Sequence, residues 1–297
     1  MDPFKQPVLV RLFYPGYIFL KDGEILSEED LLVKYLAVNA KRDVLLIRDQ
    51  HIVPMPSLCR FMENTEKNYY EVIHKNVLRN LKLANLRGKT SYIVASEKLT
   101  EDLAKLGYDT RFVPPMITEN FAEEQNIGPV TDYCLVGNMQ ELKNVELAIE
   151  AFIELYRQGS NVKVNFYGGT EKRLNKFKEQ YELSPNIILM GIVDKVPYSK
   201  HQCYISSSYS ELFANAFVEV ASNGLLVLLS DVDIAHRYYA SQSDSITLFR
   251  NKIELIEQIL QMEQENFQKS NEGNINLTRR YSIGNVSKYY VDLINKN

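Results

Sequence analysis

Two glutamates, Glu211 and Glu219, lie in a stretch whose elements suit a ligand with a phosphate group. An apolar run at 203–205 predicts the end of a buried strand, and apolar residues from Phe213 to Ala221 recur at helical spacing. Glu211 then falls in a strand-to-helix loop, and Glu219 falls about two turns down the helix. The start of such a helix offers unpaired N–H groups and a partial positive charge, which favour phosphate binding.

The spacing of the two glutamates is weak evidence by itself. In the alternative interpretation, Glu211 caps the helix and Glu219 is a solvated surface residue. In a doubly wound sheet, however, a loop at the carboxyl end of a strand is where ligands bind. The strand–loop–helix context therefore favours a ligand-binding role for this stretch.

Three further predicted strands end at glycine, which has no Cβ and lets the backbone approach a ligand closely. The strands cover 133–136, 162–167 and 187–190, and the glycines are Gly137, the pair Gly168 and Gly169, and Gly191. The first half of the chain has no glycine-rich loop between a strand and a helix. Phosphate binding is therefore expected in the second half, although tight turns alone would also explain the glycines.

The chain of 297 residues predicts two α/β domains, because strand-like and helix-like segments alternate along both halves. The first domain is expected at 1–118 and the second at 129–281, with a polar linker between them. A terminal helix at 282–297 follows, and whether it crosses back to the first domain is left open. Within the first domain we expect two short strands or a hairpin at 8–21.

A helix is predicted at 97–106 of the first domain, where Gly107 stops it, and two further helices are predicted before it. One covers about 27–39, where Ser27 and Asp30 resemble a capping box. The other covers about 66–83 and carries His74.

Composition and charge exclude several classes of function. The net charge of −4 and the pI of about 5.7 give no sign of a nucleic-acid surface. No apolar run approaches the length of a membrane span, and the first residues lack the basic start and apolar core of a signal peptide. Cys59, Cys134 and Cys203 lie far apart without metal-ligand spacing. We therefore expect a cytoplasmic protein with reduced cysteines, no metal site and no nucleic-acid partner.

In the second domain an ordered set of segments resembles the donor-binding half of retaining GT-B glycosyltransferases of the group 1 type. Residues 136–144 look like the Gly-Arg-Leu-x-x-x-Lys-Gly segment of that family, 166–169 like its Gly-x-Gly strand end, and 188–191 like its next strand and glycine. Glu211 and Glu219 fit its Glu-x7-Glu pair. The resemblance implies an α/β fold of two Rossmann-like domains (GT-B), with the N-terminal domain shortened.

The first domain adds two looser resemblances. His74 is similar to a histidine in the cleft of the family, and 113–117 resembles the segment before its interdomain linker. The sequence around 43–49 and His74 is also similar to transferases that act on bacterial serine-rich proteins or teichoic acids.

The resemblance implies roles by position. Lys143 would hold the donor diphosphate, Glu211 the sugar hydroxyls and Glu219 the ribose hydroxyls, while His74 would contact the reacting centre. The other implied donor-binding residues are Gly137, Asn138, Gly168, Gly169, Gly191, Leu212, Phe213, Ala214 and Asn215. No metal or cofactor is required, because Lys143 and a helix terminus can do the work of a cation. Without the resemblance, Lys143 would be a surface lysine and His74 a partly buried structural histidine.

The implied function is transfer of a hexose or N-acetylhexosamine, with retention, from a UDP-sugar to a hydroxyl of a glycan, lipid-linked or protein acceptor. Peripheral membrane or partner-protein association is left open. Three positions depart from the family pattern: Asn138 replaces an arginine, Leu212 stands where glycine or serine is usual, and Ala214 where glycine is common. With the short first domain, these changes keep a second hypothesis in view, a decayed GT-B partner that binds and stabilises another glycosyltransferase.

Overall fold

The computed structural model describes most of the second half of the chain and parts of the first. The described residues are 17–19, 25–27, 30, 33–34, 37, 46–49, 61, 69–73, 91–115, 121–231 and 234–295. The chain divides into two compact units, one of Met1–Phe112 with Leu293–Asn297 and the other of Val113–Asp292.

The first unit contains six described strands and one described helix of defined bounds, in two sheets. The elements are β1 (Tyr17–Phe19), β2 (Ile25–Ser27), β3 (Leu46–Asp49), β4 (Tyr69–Ile73), β5 (Ser91–Val94), α1 (Glu97–Lys105) and β6 (Asp109–Phe112). Strands β1 and β2 pair antiparallel, and β3 to β6 form a parallel sheet in chain order. Helix α1 begins where the Ser96 hydroxyl accepts the Leu99 N–H at 3.3 Å, and its Leu99 and Leu103 are buried.

The predicted helix at 66–83 is wrong where the structure describes it, because Tyr69–Ile73 is strand β4. Aromatic and β-branched residues dominate this segment and fit a pleated, buried surface better than a helix. The predicted helix at 27–39 contains helical residues at Asp30, Val33, Lys34 and Ala37. Residues 8–14, Cys59 and His74 lie outside the described residues.

The second unit alternates strands and helices. Its strands are β7 (Asn126–Ile127), β8 (Asp132–Val136), β9 (Lys163–Tyr167), β10 (Ile187–Gly191), β11 (Cys203–Ser206), β12 (Leu226–Ser230), β13 (Ile246–Phe249) and β14 (Lys269–Ser270). Its helices are α2 (Val145–Arg157), α3 (Glu171–Gln180), α4 (Asn215–Ser222), α5 (Ile234–Ala240), α6 (Lys252–Glu263), α7 (Glu272–Arg279) and α8 (Ile283–Asn295). Short 3-10 turns cover Glu141–Lys143 and Tyr198–Lys200.

Six parallel strands of this unit form one doubly wound sheet in the order β10-β9-β8-β11-β12-β13. The order reverses between β8 and β11, which pair with Cys203 opposite Tyr133. One face carries a continuous apolar core that includes Phe152 of α2, Phe166 of β9 and Leu255 of α6. The topology therefore brings the loops after β8 and β11 together at the point where the strand order reverses.

A buried asparagine ties three segments of this unit together. The Asn271 side chain is fully buried, and its amide donates to Gly224 O at 2.9 Å and to Glu123 O at 3.3 Å. Its Oδ1 accepts the Gln125 N–H at 2.8 Å. These bonds satisfy backbone groups of the turn between α4 and β12 and of the segment that leads into β7.

Sequence analysis places a linker before residue 129, and the structure describes 121–127 within the second unit. The Ala122 N–H donates to Ser222 O at 2.8 Å, and β7 pairs antiparallel with β14. The domain bounds expected from the sequence, 1–118 and 129–281, remain a prediction.

Several elements were not predicted from the sequence, namely β2, which ends at the predicted helix start Ser27, and α5, α7, β7 and β14. Helix α5 has only seven residues with mixed polarity, and β7 and β14 have two residues each. Such short elements give no periodic signal and depend on tertiary contacts.

Two of the three cysteines, Cys134 and Cys203, are buried and free, and burial raises the pKa of both thiols. No helix of the described part of the chain has the length and apolar character needed to cross a membrane.

Substituting Asn271→Ala is expected to lower the free energy of unfolding by about 3 kcal/mol, because it leaves buried backbone groups without partners. Chemical denaturation followed by circular dichroism measures this change. The control Asn276→Ala, at an exposed position of helix α7, which Asn271 precedes, should change stability by less than about 0.5 kcal/mol. Equal stability changes in the two variants would contradict the role assigned to Asn271.

Candidate functional site

The candidate site lies at the carboxyl ends of β8 and β11, where the strand order of the larger sheet reverses. Parallel strands on either side of such a point send their following loops in opposite directions, which opens a crevice for a ligand. The loop after β8 leads to Lys143, and the loop after β11 contains Glu211. Two residues 68 positions apart in the chain are thereby brought together.

The glycines at the strand ends serve two different purposes. The Gly137 N–H donates to Tyr167 O at 3.0 Å, and the Gly168 N–H donates to Gly191 O at 2.6 Å. A Cβ added to Gly168 would lie 1.9 Å from the Gly137 carbonyl oxygen, and Gly168 has a φ of 105°. Gly168 is therefore required by backbone packing. This agrees with the alternative explanation that the strand-end glycines make tight turns. A Cβ on Gly137 would meet only the Lys143 side chain, at 3.9 Å, so this strand end leaves room for a ligand.

The loop between β8 and α2 is strained. Met139 and Asn144 have positive φ values of 53° and 47°, a conformation that is unfavourable for residues with a Cβ. The Met139 side chain is nevertheless fully buried, so core packing fixes the loop. A Cβ on Gly169 would lie 2.8 Å from Met139 Sδ, which explains the glycine there. Strain of this kind concentrates at functional sites.

Lys143 and Glu211 form an ion pair in the crevice. The Lys143 ammonium donates to Glu211 Oε1, and the Ser208 hydroxyl donates to the same oxygen at 2.8 Å. The side chains are 27% and 15% exposed, so the pair is partly shielded from water yet reachable. An ammonium and a carboxylate in this setting can bind a diphosphate and sugar hydroxyls, respectively.

A run of serines fastens the two loops to each other. The Ser207 hydroxyl lies 3.0 Å from Lys143 O and 2.8 Å from Asn144 O, and it donates to these carbonyls. The Tyr209 N–H donates to Leu142 O at 2.9 Å. The backbone that carries Lys143 is therefore held by the loop that carries Glu211. The role of these serines was not predicted, since nothing in the local sequence indicates their partners.

The N-terminus of helix α4 follows Glu211 by four residues in the chain. Ala214 precedes the helix with a φ of 56°, and its side chain provides no cap for the first N–H groups. The Phe213 carbonyl accepts a hydrogen bond from the Tyr239 hydroxyl, and the Phe213 ring packs edge-on against Tyr281 at a centroid distance of 5.0 Å. The Phe213 side chain is therefore core, and only its backbone can serve a ligand. Leu212 and Asn215, the other predicted binding residues here, are partly buried and exposed, respectively.

Glu219 lies on α4 with its side chain exposed. The neighbouring Tyr198 hydroxyl is buried and lies close to the Glu219 side chain. Burial raises the pKa of Tyr198, and the nearby charge of Glu219 raises it further. Tyr198 stays a neutral phenol that faces the carboxylate of Glu219. Sequence analysis did not identify this tyrosine.

Asn138 turns back onto its own loop, where its Oδ1 accepts the Gln140 N–H at 3.1 Å. Close to it lies a cation that was not predicted from the sequence, since Arg173 of α3 donates from Nη1 to Met139 O at 2.6 Å.

The described residues include no cluster of three or more histidines, cysteines or carboxylates that could hold a metal ion. His74 lies outside the described residues, so its predicted position in the site stays a prediction.

Residues 117–276, more than half of the chain, match the sequence model of the family described as Glycosyl transferases group 1. No curated protein matches the chain.

Solved structures share the fold at low sequence identity. TarM gives a TM-score of 0.73 at 18% identity, over 94% of this chain and 61% of that chain. The pneumococcal O-GlcNAc transferase GtfA in complex with UDP and GlcNAc gives 0.74 at 16% identity, over 94% and 62%. A GtfA/B complex gives 0.72 at 15% identity, over 94% and 62%. The chain thus spans about three fifths of the length of these structures.

These matches confirm the predicted fold class, an α/β GT-B fold with two Rossmann-like domains.

Ala214→Gly is expected to raise the free energy of unfolding by about 1 kcal/mol, because glycine adopts the left-handed conformation without strain. Thermal and denaturant unfolding measure this change. The control is the same substitution two residues later: Ala216→Gly, inside α4, should lower stability by about 1 kcal/mol. Loss of stability in both variants would show that Ala214 is not strained.

Proposed function

This chain belongs to the group 1 glycosyl transferases, and from that membership we propose that it transfers a hexose or N-acetylhexosamine from a UDP-sugar, with retention, to a hydroxyl acceptor. The observation that carries the proposal is the juxtaposition of Lys143 and Glu211 beside the start of α4, at the switch point of a doubly wound sheet. A cation and a carboxylate meet there, and helix α4, whose first N–H groups have no side-chain cap, begins four residues after the carboxylate. That combination suits a ligand with phosphates at one end and hydroxyls at the other.

In the proposed donor complex, Lys143 binds the diphosphate and neutralises the charge that develops as the nucleotide leaves. The N–H groups at the start of α4 add a partial positive charge from the other side. Arg173 supplies a guanidinium near Asn138, where the family pattern has an arginine. We therefore assign Arg173 to the diphosphate as the second cation, in place of the arginine absent at 138.

Glu219 holds the ribose hydroxyls in this proposal. Its carboxylate is exposed on α4 and can accept two hydroxyl hydrogen bonds. The neutral phenol of Tyr198 behind it adds no competing charge. Gly137, Gly168, Gly169 and Gly191 form the strand ends along which the nucleotide lies.

The choice of a uridine nucleotide is supported by two proteins of the same fold. GtfA of pneumococcus is described with UDP and GlcNAc, and a TarM mutant of S. aureus with UDP and alpha-GlcNAc-glycerol. Both are below 20% identical to this chain, so they support the fold and suggest ligands to test.

Retention follows from the proposed arrangement if the acceptor approaches on the side from which the diphosphate departs. The bond between the anomeric carbon and the phosphate oxygen breaks, and a bond from the acceptor oxygen to the same carbon forms on the same face. The departing phosphate takes the acceptor's proton. Lys143 and the helix terminus provide the positive charge that a metal ion would otherwise provide, and His74 contacts the reacting centre. No cofactor is needed.

The acceptor is proposed to be a hydroxyl of a glycan, a lipid-linked intermediate or a protein, bound in part by the N-terminal domain at 1–118. A cytoplasmic location is part of the proposal. The donor domain at 129–281 carries the residues assigned above.

A second function is favoured by one observation, the departure at Asn138. A decayed GT-B chain that stabilises an active transferase would tolerate loss of that arginine, and a GtfA/B complex shares the fold. The intact Lys143–Glu211 pair favours the enzyme.

We expect the protein to release UDP from one member of a panel of UDP-sugars when a suitable acceptor or water is present. Glu211→Ala should reduce this release at least about 100-fold, because the sugar loses its hydroxyl contacts in the transition state. A coupled UDP-detection assay measures the rates. The matched control Glu257→Ala, an exposed glutamate of α6, should retain the full rate.

No release from any donor or acceptor, with UDP still bound, would contradict the enzyme and favour the partner-protein function. Release that survives in Glu211→Ala would contradict the assigned site.

A further inference from the structure

His236 of helix α5 is fully buried near the proposed site and has no role in the family pattern described above. Its Nδ1 lies 3.0 Å from Ser230 O and 3.1 Å from Ser230 Oγ, at the end of β12. Its Nε2 lies 3.4 Å from Ser206 Oγ, at the end of β11. One imidazole therefore bridges the carboxyl ends of two adjacent strands.

The partners define which ring nitrogen carries the proton. The Ser230 carbonyl oxygen can only accept, so Nδ1 of His236 must be the donor. Nε2 is then an acceptor, and the Ser206 hydroxyl donates to it. The Ser230 hydroxyl in turn donates to Ser208 O at 2.6 Å.

The hydrogen-bond chain ends at the carboxylate of Glu211. Ser208 receives the Ser230 hydroxyl at its carbonyl, and its own hydroxyl donates to Glu211 Oε1 at 2.8 Å. Glu211 is the residue that also pairs with Lys143. Two hydrogen bonds therefore connect Ser230, the partner of His236, to the backbone of Ser208 and the hydroxyl of Ser208 to Glu211, and the covalent frame of Ser208 joins them.

We propose that His236 is a positioning residue for glycosyl transfer, acting through Ser230 and Ser208 to fix the Glu211 carboxylate against the donor sugar. The inference rests on the proposed function of the site. A displacement of about 1 Å in such a group costs on the order of 100-fold in rate. UDP itself is held by Lys143, Glu219 and the start of α4, so donor affinity should depend much less on His236.

The test compares His236→Ala with His236→Asn, whose amide can still donate to Ser230 O. The donor is the UDP-sugar from which the wild-type protein releases UDP. The structural control is Ser243→Ala, because Ser243 is buried like His236 but lies away from the site. The Ser243 hydroxyl donates to Asn274 Oδ1 at 3.0 Å.

We expect His236→Ala to lower kcat by about 10- to 100-fold with the KM for the donor within about threefold of wild type. His236→Asn should recover most of the lost rate. A His236→Ala, Ser208→Ala double variant should be less impaired than the product of the two single effects, because both act on Glu211. Ser243→Ala should lose stability but keep its kcat.

Full kcat in a folded His236→Ala variant would overturn the inference, and so would equal losses in His236→Ala and Ser243→Ala. If the wild-type protein releases no UDP, the proposed function fails. Amide hydrogen exchange then tests independently whether His236 positions the loop that carries Glu211. Exchange of the amides at 209–214 should be about tenfold faster in His236→Ala and unchanged in Ser243→Ala. Unchanged exchange in both variants would overturn it.

Discussion

An ammonium and a carboxylate from two separate loops are held together at one edge of a parallel sheet, and the surrounding structure serves to keep them there. Lys143 and Glu211 are mostly shielded from water, so each charge depends on the other and on nearby hydrogen bonds for compensation. A bound diphosphate would compete with Glu211 for Lys143. The hydroxyls of a sugar would then donate hydrogen bonds to the Glu211 carboxylate. A ligand that carries both phosphates and hydroxyls therefore compensates both charges when it separates the ion pair.

The pair depends on the doubly wound topology of the second unit. Strands β8 and β11 are neighbours because the strand order reverses between them, and only there can loops so distant in the chain meet. Packing of Met139 and the left-handed backbone at Asn144 direct the first loop towards the second. Ser207 and Ser208 then fix both loops, one through the backbone of Lys143 and the other through the side chain of Glu211.

Much of this arrangement could be predicted from the sequence, since periodic apolar residues and glycines at strand ends mark each element of the larger sheet. The segment at 69–73 was misassigned because a short apolar run is compatible with either a helix or a strand, and here its sheet neighbours decide. The roles of Arg173, Tyr198 and His236 could not be predicted. Each depends on a contact with a residue far away in the chain, which no local pattern encodes.

The most direct measurement is UDP affinity by titration calorimetry for the wild-type protein, Lys143→Ala and Glu211→Ala. We expect Lys143→Ala to weaken UDP binding at least about tenfold, because the diphosphate loses a charged partner. Glu211→Ala should bind UDP as tightly as wild type or more tightly, since Lys143 no longer has a competing carboxylate. Equal weakening in both variants would show that the ion pair only supports the fold, and unchanged binding in Lys143→Ala would place the diphosphate elsewhere.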